Sequence, residues 1–274
     1  MSPSPASRTA GVLVAVPCLL AGLACPLPAA AQRLGDDVAT IHDRCVTYVR
    51  SNPKVGLERA RLWKDQGGGF AADHCIAMAL FQLKDYGAAA KLFESLATAM
   101  LGMPADQRAQ ALDQAGLAWL DAHEPARAKA AFDGALAFHG EDPDLLIDRA
   151  QALADLKQYW DAIDDLNRAI ELAPKRADAY FYRGTAYRYV DARDLADEDI
   201  EQGLALAPNS TMGLLERGNL RRLKGDAAGA RQDWQRVTEL APESLEAKAA
   251  KLNLSGLGGT ADAPPEAGPR RRKP

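Results

Sequence analysis

The chain has 274 residues, 47% of them hydrophobic and 26% charged, with a formal net charge of −4. That length leaves room for one or two ordinary domains. The small acidic excess removes any general electrostatic argument for a nucleic-acid partner or for an anionic membrane surface.

At the N-terminus, Arg8 precedes an apolar run from Gly11 to Ala24, and Ala29-Ala30-Ala31 stands before Gln32. This is the layout of a secretory signal peptide over 1–31, of bacterial type, with cleavage expected after Ala31 and a periplasmic or secreted mature chain. An uncleaved anchor is the alternative, but the run is shorter than the ~20 residues a spanning helix needs, and Pro17 and Pro26 interrupt it. A lipoprotein signal at Cys25 is a further alternative, although Gly22 stands where such signals usually have Leu. Removal of 1–31 takes Cys18 and Cys25 and leaves Cys45 and Cys75. In an oxidising compartment these two are a candidate disulfide between the first helices of neighbouring helix pairs, with two buried free thiols as the alternative.

Residues 32–36 are a short leader. Helices are expected over Asp37 to Arg50 and Pro53 to Asp65, with Asn52 as cap, Pro53 at the first position and Gly67-Gly68-Gly69 as the stop. Residues 32–69 are therefore a divergent N-terminal helix pair. From Phe70 the pattern regularises, with Ala77, Leu80, a turn at Lys84-Asp85-Tyr86, then Ala89 and Phe93, giving a unit over 70–103. Met100 to Gln107 holds about five residues beyond a regular frame, which predicts either a longer linker or a helix extended backwards from Ala105. The frame resumes over 109–142 with Leu112, Gly116, Trp119, Ala128 and Phe132, and Gly140 replaces a closing Pro.

The clearest units are 143–176, 177–210 and 211–244. Ala-Pro recurs at 173–174, 207–208 and 241–242, each 34 residues after the last. The same spacing relates Leu146, Tyr180 and Leu214; Ala150, Gly184 and Gly218; Ala162, Ala196 and Ala230; and Leu166, Ile200 and Trp234. In this pattern the chain resembles the tetratricopeptide repeat (TPR) family. The resemblance implies an all-α fold, a right-handed TPR-type α-solenoid of antiparallel helix pairs, with five TPR-like units over 70–242. Small residues at Ala150, Gly184 and Gly218 let the paired helices approach, and Leu153 and Tyr187 fill the space one turn on. Arg221 at that same place is a mild misfit, expected to send its charge to solvent along its stem. Pro174, Pro208 and Pro242 end each second helix. Residues 243–254, with Leu245, Ala249 and Leu252 at helical spacing, form a capping helix. Residues 255–274 are Gly, Pro and Ala rich and end in Arg270-Arg271-Arg272-Lys273. They are expected to be a disordered basic tail, either in weak contact with acidic polymers or phospholipid headgroups or serving solubility alone.

Motifs for chemistry are missing from the sequence. His42, His74, His123 and His139 fall in different units, without H-E-x-x-H or paired-Cys spacing, so no metal, no cofactor and no catalytic residue is expected. His74 and Cys75 are helical neighbours that do not face each other. Asp161, Asp164 and Asp165, and Asp194, Asp197, Glu198 and Asp199, read as solvated faces.

The resemblance implies that partners lie in a concave groove lined by the first helices, at the second, fifth, ninth, twelfth and thirteenth places of each unit. Those places are Asp144, Ile147, Gln151, Ala154 and Asp155 in the fourth unit, Asp178, Phe181, Thr185, Arg188 and Tyr189 in the fifth, and Met212, Leu215, Asn219, Arg222 and Leu223 in the sixth. The candidate partner-binding residues are Phe181, Tyr182, Thr185, Arg188, Tyr189, Leu215, Asn219 and Arg222, since aromatics and Arg dominate binding hot spots. The alternative is that Phe181 and Tyr182 pack against neighbouring helices. The places that would clamp an acidic chaperone tail hold Ile147, Gln151, Tyr182, Met212 and Glu216, which departs from that mode. The expectation is a non-catalytic protein–protein interaction scaffold of the cell envelope, holding a peptide or helix of a partner, without nucleic acid and without stable membrane insertion after cleavage. The alternative is a self-associating structural subunit of an envelope complex.

Overall fold

A computed structural model describes residues 37–256 apart from 101 and 103. The expected signal peptide over 1–31, the expected leader over 32–36 and nearly all of the expected tail over 255–274 lie outside the described residues. Among those described there are thirteen helices and no strand: α1 Val38–Ser51, α2 Pro53–Asp65, α3 Gly69–Gln82, α4 Tyr86–Ala99, α5 Ala105–Asp121, α6 Pro125–Leu136, α7 Pro143–Asp155, α8 Tyr159–Leu172, α9 Ala177–Tyr189, α10 Arg193–Leu206, α11 Thr211–Leu223, α12 Ala227–Leu240 and α13 Leu245–Gly256. Consecutive helices pack as pairs, α1 with α2 through α11 with α12, and α13 closes on the last pair, so the fold is an all-α TPR-type solenoid. None of these helices is long and apolar enough to cross a membrane. The extra residues before the third unit enter α5, which begins at Ala105 and runs for 17 residues.

In the five pairs from α3–α4 onwards the turn closes on one residue in the left-handed region: Lys84, His123, Lys157, Asp191 and Gly225. The amide after it then reaches back to a carbonyl of the first helix, as Gln158 does to Leu153, Ala192 to Tyr187 and Asp226 to Arg221. This satisfies the carbonyls a helix end leaves open. Only one of the five is a glycine. Gly225→Ala is therefore expected to destabilise the last pair by about 1 kcal/mol, measured by urea unfolding followed at Trp234.

Pairing rests on the small-to-large pattern. A Cβ at Gly116 would meet Phe132, one at Gly184 would meet Ile200, and one at Gly218 would meet Trp234. All three facing side chains are buried. Between pairs, Ala173, Ala207 and Ala241 leave the helical region before their prolines, at ψ 71°, 79° and 71°, since the proline ring disfavours helical backbone in the residue before it.

Two expectations from the sequence are corrected here. Asp165 and Asp199, expected on solvated faces, are buried at 8% and 5% exposure, and Asp233 at the same place of the last unit is buried at 3%. Each receives a two-nitrogen fork from the arginine sixteen residues earlier: Arg149 to Asp165 at 2.8 and 2.6 Å, Arg183 to Asp199 at 2.7 and 2.6 Å, and Arg217 to Asp233 at 3.1 and 2.8 Å. The free nitrogen of each fork turns to the preceding unit, Arg149 to Asp133 at 2.9 Å, Arg183 to Asn167 at 2.7 Å and Arg217 to Glu201 at 3.5 Å. One guanidinium thus ties a first helix to its own second helix and to the one before. Nor does Arg221 send its charge to solvent. Its Nη1 donates to Asp233 at 2.7 Å, so the apparent misfit joins the last rung.

At the N-terminal end a disulfide joins Cys45 of α1 to Cys75 of α3, with Cα atoms 6.3 Å apart. In the chain-entropy picture a loop of this size contributes about 3 to 4 kcal/mol.

Candidate functional site

The first helices come closer to one another than the second helices do: α1 packs on α3, and α5, α7, α9, α11 and α13 each meet the next in that series. First helices therefore line the inner side of the stack, and the question is what their side chains offer there.

Around α7 they offer carboxylate. Asp113 of α5, Asp144 and Asp148 of α7 and Asp178 of α9 form one electrostatic cluster. Arg176 serves two of them, donating to both oxygens of Asp178 at 3.0 and 2.7 Å and also to Asp144. Although burial pulls the other way, Arg176 holds Asp178 below the ordinary carboxylate range. Asp113 and Asp148 have no such partner, and neither forms an ion pair among the described residues. Oδ1 of Asp113 is buried and meets no donor among them. Burial, reinforced by Asp142 and Asp144, pushes Asp113 up to about 6. Burial together with Asp113, Asp144 and Asp178 outweighs Arg176 and pushes Asp148 up to about 7. Two carboxylates are thus held in the fold without the cation that would relieve them.

The predicted anchor residues are distributed otherwise than expected. Phe181 is buried at 2% exposure, filling the space over Gly203 and Gly213, and is not on the groove. Tyr182 is half-buried and donates its hydroxyl proton to Gln151 at 3.1 Å. Burial, then Asp148, Asp178 and Glu246, raise it to about 12, so it borders the acidic cluster as a neutral phenol. Thr185 spends its hydroxyl on the Phe181 carbonyl. Arg188 makes a nearly buried pair with Glu216 at 2.7 Å, the two side chains 10% and 11% exposed, and lies over the Tyr189 ring. Tyr189 stacks on Tyr159 with centroids 4.8 Å apart. Asn219 donates to Glu216 and accepts from Asn253 of α13. Leu215 is half-buried and accepts from the Trp234 indole through its carbonyl. Arg222 keeps a buried Nε that meets no acceptor among the described residues. The structure therefore brings together a braced aromatic and arginine wall, not a free hot spot, and sets the unrelieved charge one unit earlier.

Sequence reasoning missed Asp113 and Asp148. Their places are the fifth of one unit and the sixth of the next, and only the stacking of α5 on α7 makes them neighbours. It also missed that two histidines from different units meet: His42 Nε2 lies 3.0 Å from His74 Nδ1, and His74 Nε2 lies 2.9 Å from Gln114 Oε1. Burial, partly offset by the Gln114 bond, lowers His74, and His42 lowers it further. This chain of polar atoms runs along a cleft of about 710 Å³ between α1, α3 and α5, whose lining also includes the apolar Val38, Phe70, Ala71, Leu96, Met100 and Ala111 and the polar Asp43, Gln107 and Gln110.

Against this geometry, the tetratricopeptide repeat family model matches residues 143–176, the unit that carries Asp144 and Asp148. Over that unit the chain carries a tetratricopeptide repeat, and its fold is of the TPR type. Solved TPR structures share its fold. TTC0263 of Thermus thermophilus is 19% identical over 69% of this chain and 98% of that one, with a TM-score of 0.56. MamA from Desulfovibrio magneticus RS-1 is 21% identical over 68% and 97%, with a TM-score of 0.52. In the APC/C hetero-tetramer Cut9–Hcn1 the match is 16% identical over 83% of this chain and 44% of the other, with a TM-score of 0.64. Similarity at this level concerns the TPR fold alone. No curated protein sequence matches this TPR chain.

Proposed function

We propose that this chain is a non-catalytic protein–protein interaction scaffold of the bacterial cell envelope, and that its inner face holds a lysine- or arginine-bearing segment of a partner protein. The TPR family and fold support the scaffold reading. The single observation that carries the choice of partner is the pair Asp113 and Asp148, two carboxylates of the inner-face helices with raised proton affinity that form no ion pair among the described residues, where Asp148 accepts from the Gln151 amide at 3.1 Å and Asp113 Oδ1 meets no donor. A partner's ammonium or guanidinium would supply the charge-assisted hydrogen bonds that the fold leaves unmade. The signal-like segment 1–31 and the Cys45–Cys75 disulfide support an oxidising compartment outside the cytoplasm. The test is fluorescence anisotropy of labelled peptides of about twelve residues, one Lys/Arg-rich and one Asp/Glu-rich, titrated with the chain from residue 32. The basic peptide is expected to bind, with an affinity that falls as salt rises. Equal binding of both peptides, or of neither, would overturn the reading.

Self-association is a second reading with an observation of its own. Leu245 and Leu252 lie one above the other on α13 and are 77% and 72% exposed. Sedimentation at several concentrations decides it, since a monomer at every concentration removes it.

A further inference from the structure

From the cleft between α1, α3 and α5 we infer a second half to the same recognition: it receives an apolar side chain of the partner segment, set about six residues from the basic residue that meets Asp113 and Asp148. This rests on the groove reading above and specifies the partner further, as a basic segment with one bulky apolar residue at a fixed distance.

The cleft is shaped for such a residue. Its lining is mostly carbon, from Leu96, Met100 and Ala111 inward to Val38 and Phe70 at the rim, where exposure is 60% and 43%. Exposed apolar rims around an apolar hollow are a feature of interaction sites. Of its polar side chains, His42, His74 and Gln114 serve one another in a run of hydrogen bonds, with Asp43, Gln107 and Gln110 beside them in the lining. An apolar guest would leave that run of hydrogen bonds intact. The walls are also fixed before binding. The disulfide ties α1 to α3 one turn from His42 and next to His74, so little ordering remains to oppose association.

The cleft and the acidic cluster are also one surface. On α5, Gln114 turns back to His74 of α3, and its neighbour Asp113 belongs to the cluster of α7. From the cleft, centred on α3, to the cluster, centred on α7, is two steps between neighbouring first helices. At 8–10 Å per step that is roughly 20 Å, which an extended peptide covers in about six residues. Charge at one end and carbon at the other commit the occupant to a segment that carries both.

The experiment uses the chain from residue 32 and a set of basic peptides, each with one Phe placed about two, four, six or eight residues from the Lys/Arg group, against a peptide with Ser in place of Phe. The expected result is a maximum near six, about 10- to 100-fold tighter than the Ser peptide. In the Val38→Ser/Phe70→Ser variant, whose changes are at exposed positions, the Phe peptides fall to the level of the Ser peptide while the Ser peptide is unaffected. Circular dichroism confirms that the variant keeps its helices. Basic peptides that bind equally with Phe at any spacing, or a variant that binds them as the parent does, overturn the cleft and leave the groove reading standing. No binding of any basic peptide overturns both. A chain that starts at residue 37 and gains the Phe preference absent from the longer one, or a concentration-dependent mass abolished by the variant, assigns the cleft to the chain's own preceding segment or to a second copy, and so overturns the inference.

Discussion

Asp233→Ala is expected to destabilise the last helix pair by about 3 to 5 kcal/mol, more than any other single change to the charged residues of the fold. Asp233 is 3% exposed and takes three hydrogen bonds, two from Arg217 and one from Arg221. Its removal strips the acceptor from two half-buried guanidiniums at once, and a charge left without its partner in that setting loses far more than a surface pair is worth. Asp165 and Asp199 each serve a single arginine fork, so Asp199→Ala should fall below Asp233→Ala. Asp161→Ala, at an exposed position on α8, should stay within about 0.5 kcal/mol of the parent. Because a stack of repeats unfolds by neighbours, the measurement must be local. Trp234 is fully buried beside Asp233, and in a background with Trp63, Trp119 and Trp160 replaced by Phe its fluorescence during urea unfolding reports this pair. A loss below about 1 kcal/mol would mean that the arginine ladder is geometry without energy.

The Asp113→Asn/Asp148→Asn double variant is expected to lose about 10- to 100-fold in affinity for the Lys/Arg-rich peptide, at 1.5–3 kcal/mol for a hydrogen bond to a charged group, and at the same time to gain stability at about pH 8. The two effects share one cause. With folded-state values raised to about 7 and about 6, these carboxyls hold protons in the folded chain that an unfolded chain has released by about pH 4. Their contribution to stability is present below that value and lost as pH rises through 6 and 7. Asparagine removes the titration, so the variant lacks that part of the slope. His74 acts the other way: its proton affinity is lowered by burial, so the stability it contributes is lost as pH falls below its ordinary value near 6.5. It is present in both proteins and cancels in the difference. Binding follows the charged carboxylates. Affinity for the basic peptide should rise from about pH 6 to about pH 8 in the parent and stay flat in the variant. Calorimetry across that range checks both signs, and an unchanged affinity in the variant would remove these two residues from the site.

How much of this was legible beforehand can be followed residue by residue. Ala-Pro at 34-residue intervals, the small residues at 150, 184 and 218 and the capping Asn52 act within a few residues of themselves, because proline geometry and helix capping are local. The repeat, its frame and the helix pairs could therefore be read before any coordinates. The arginine ladder lay in the same period, since Arg149, Arg183 and Arg217 recur with Asp165, Asp199 and Asp233. It was overlooked because a carboxylate within a charged helix looks solvated until the neighbouring helix is in place.

Phe181 had the right place number for the groove, and yet Gly203 and Gly213 open a space that draws its ring inward. Asp113 with Asp148, and His42 with His74, are 35 and 32 residues apart, and no pattern along the chain marks either pair. By itself the sequence determined where helices begin, end and turn, since those choices are made by φ/ψ limits and hydrogen bonds within one or two turns. Only the tertiary structure decided which charges are relieved and which are left waiting, since burial and Coulomb energy depend on distances that the stacking of successive units creates.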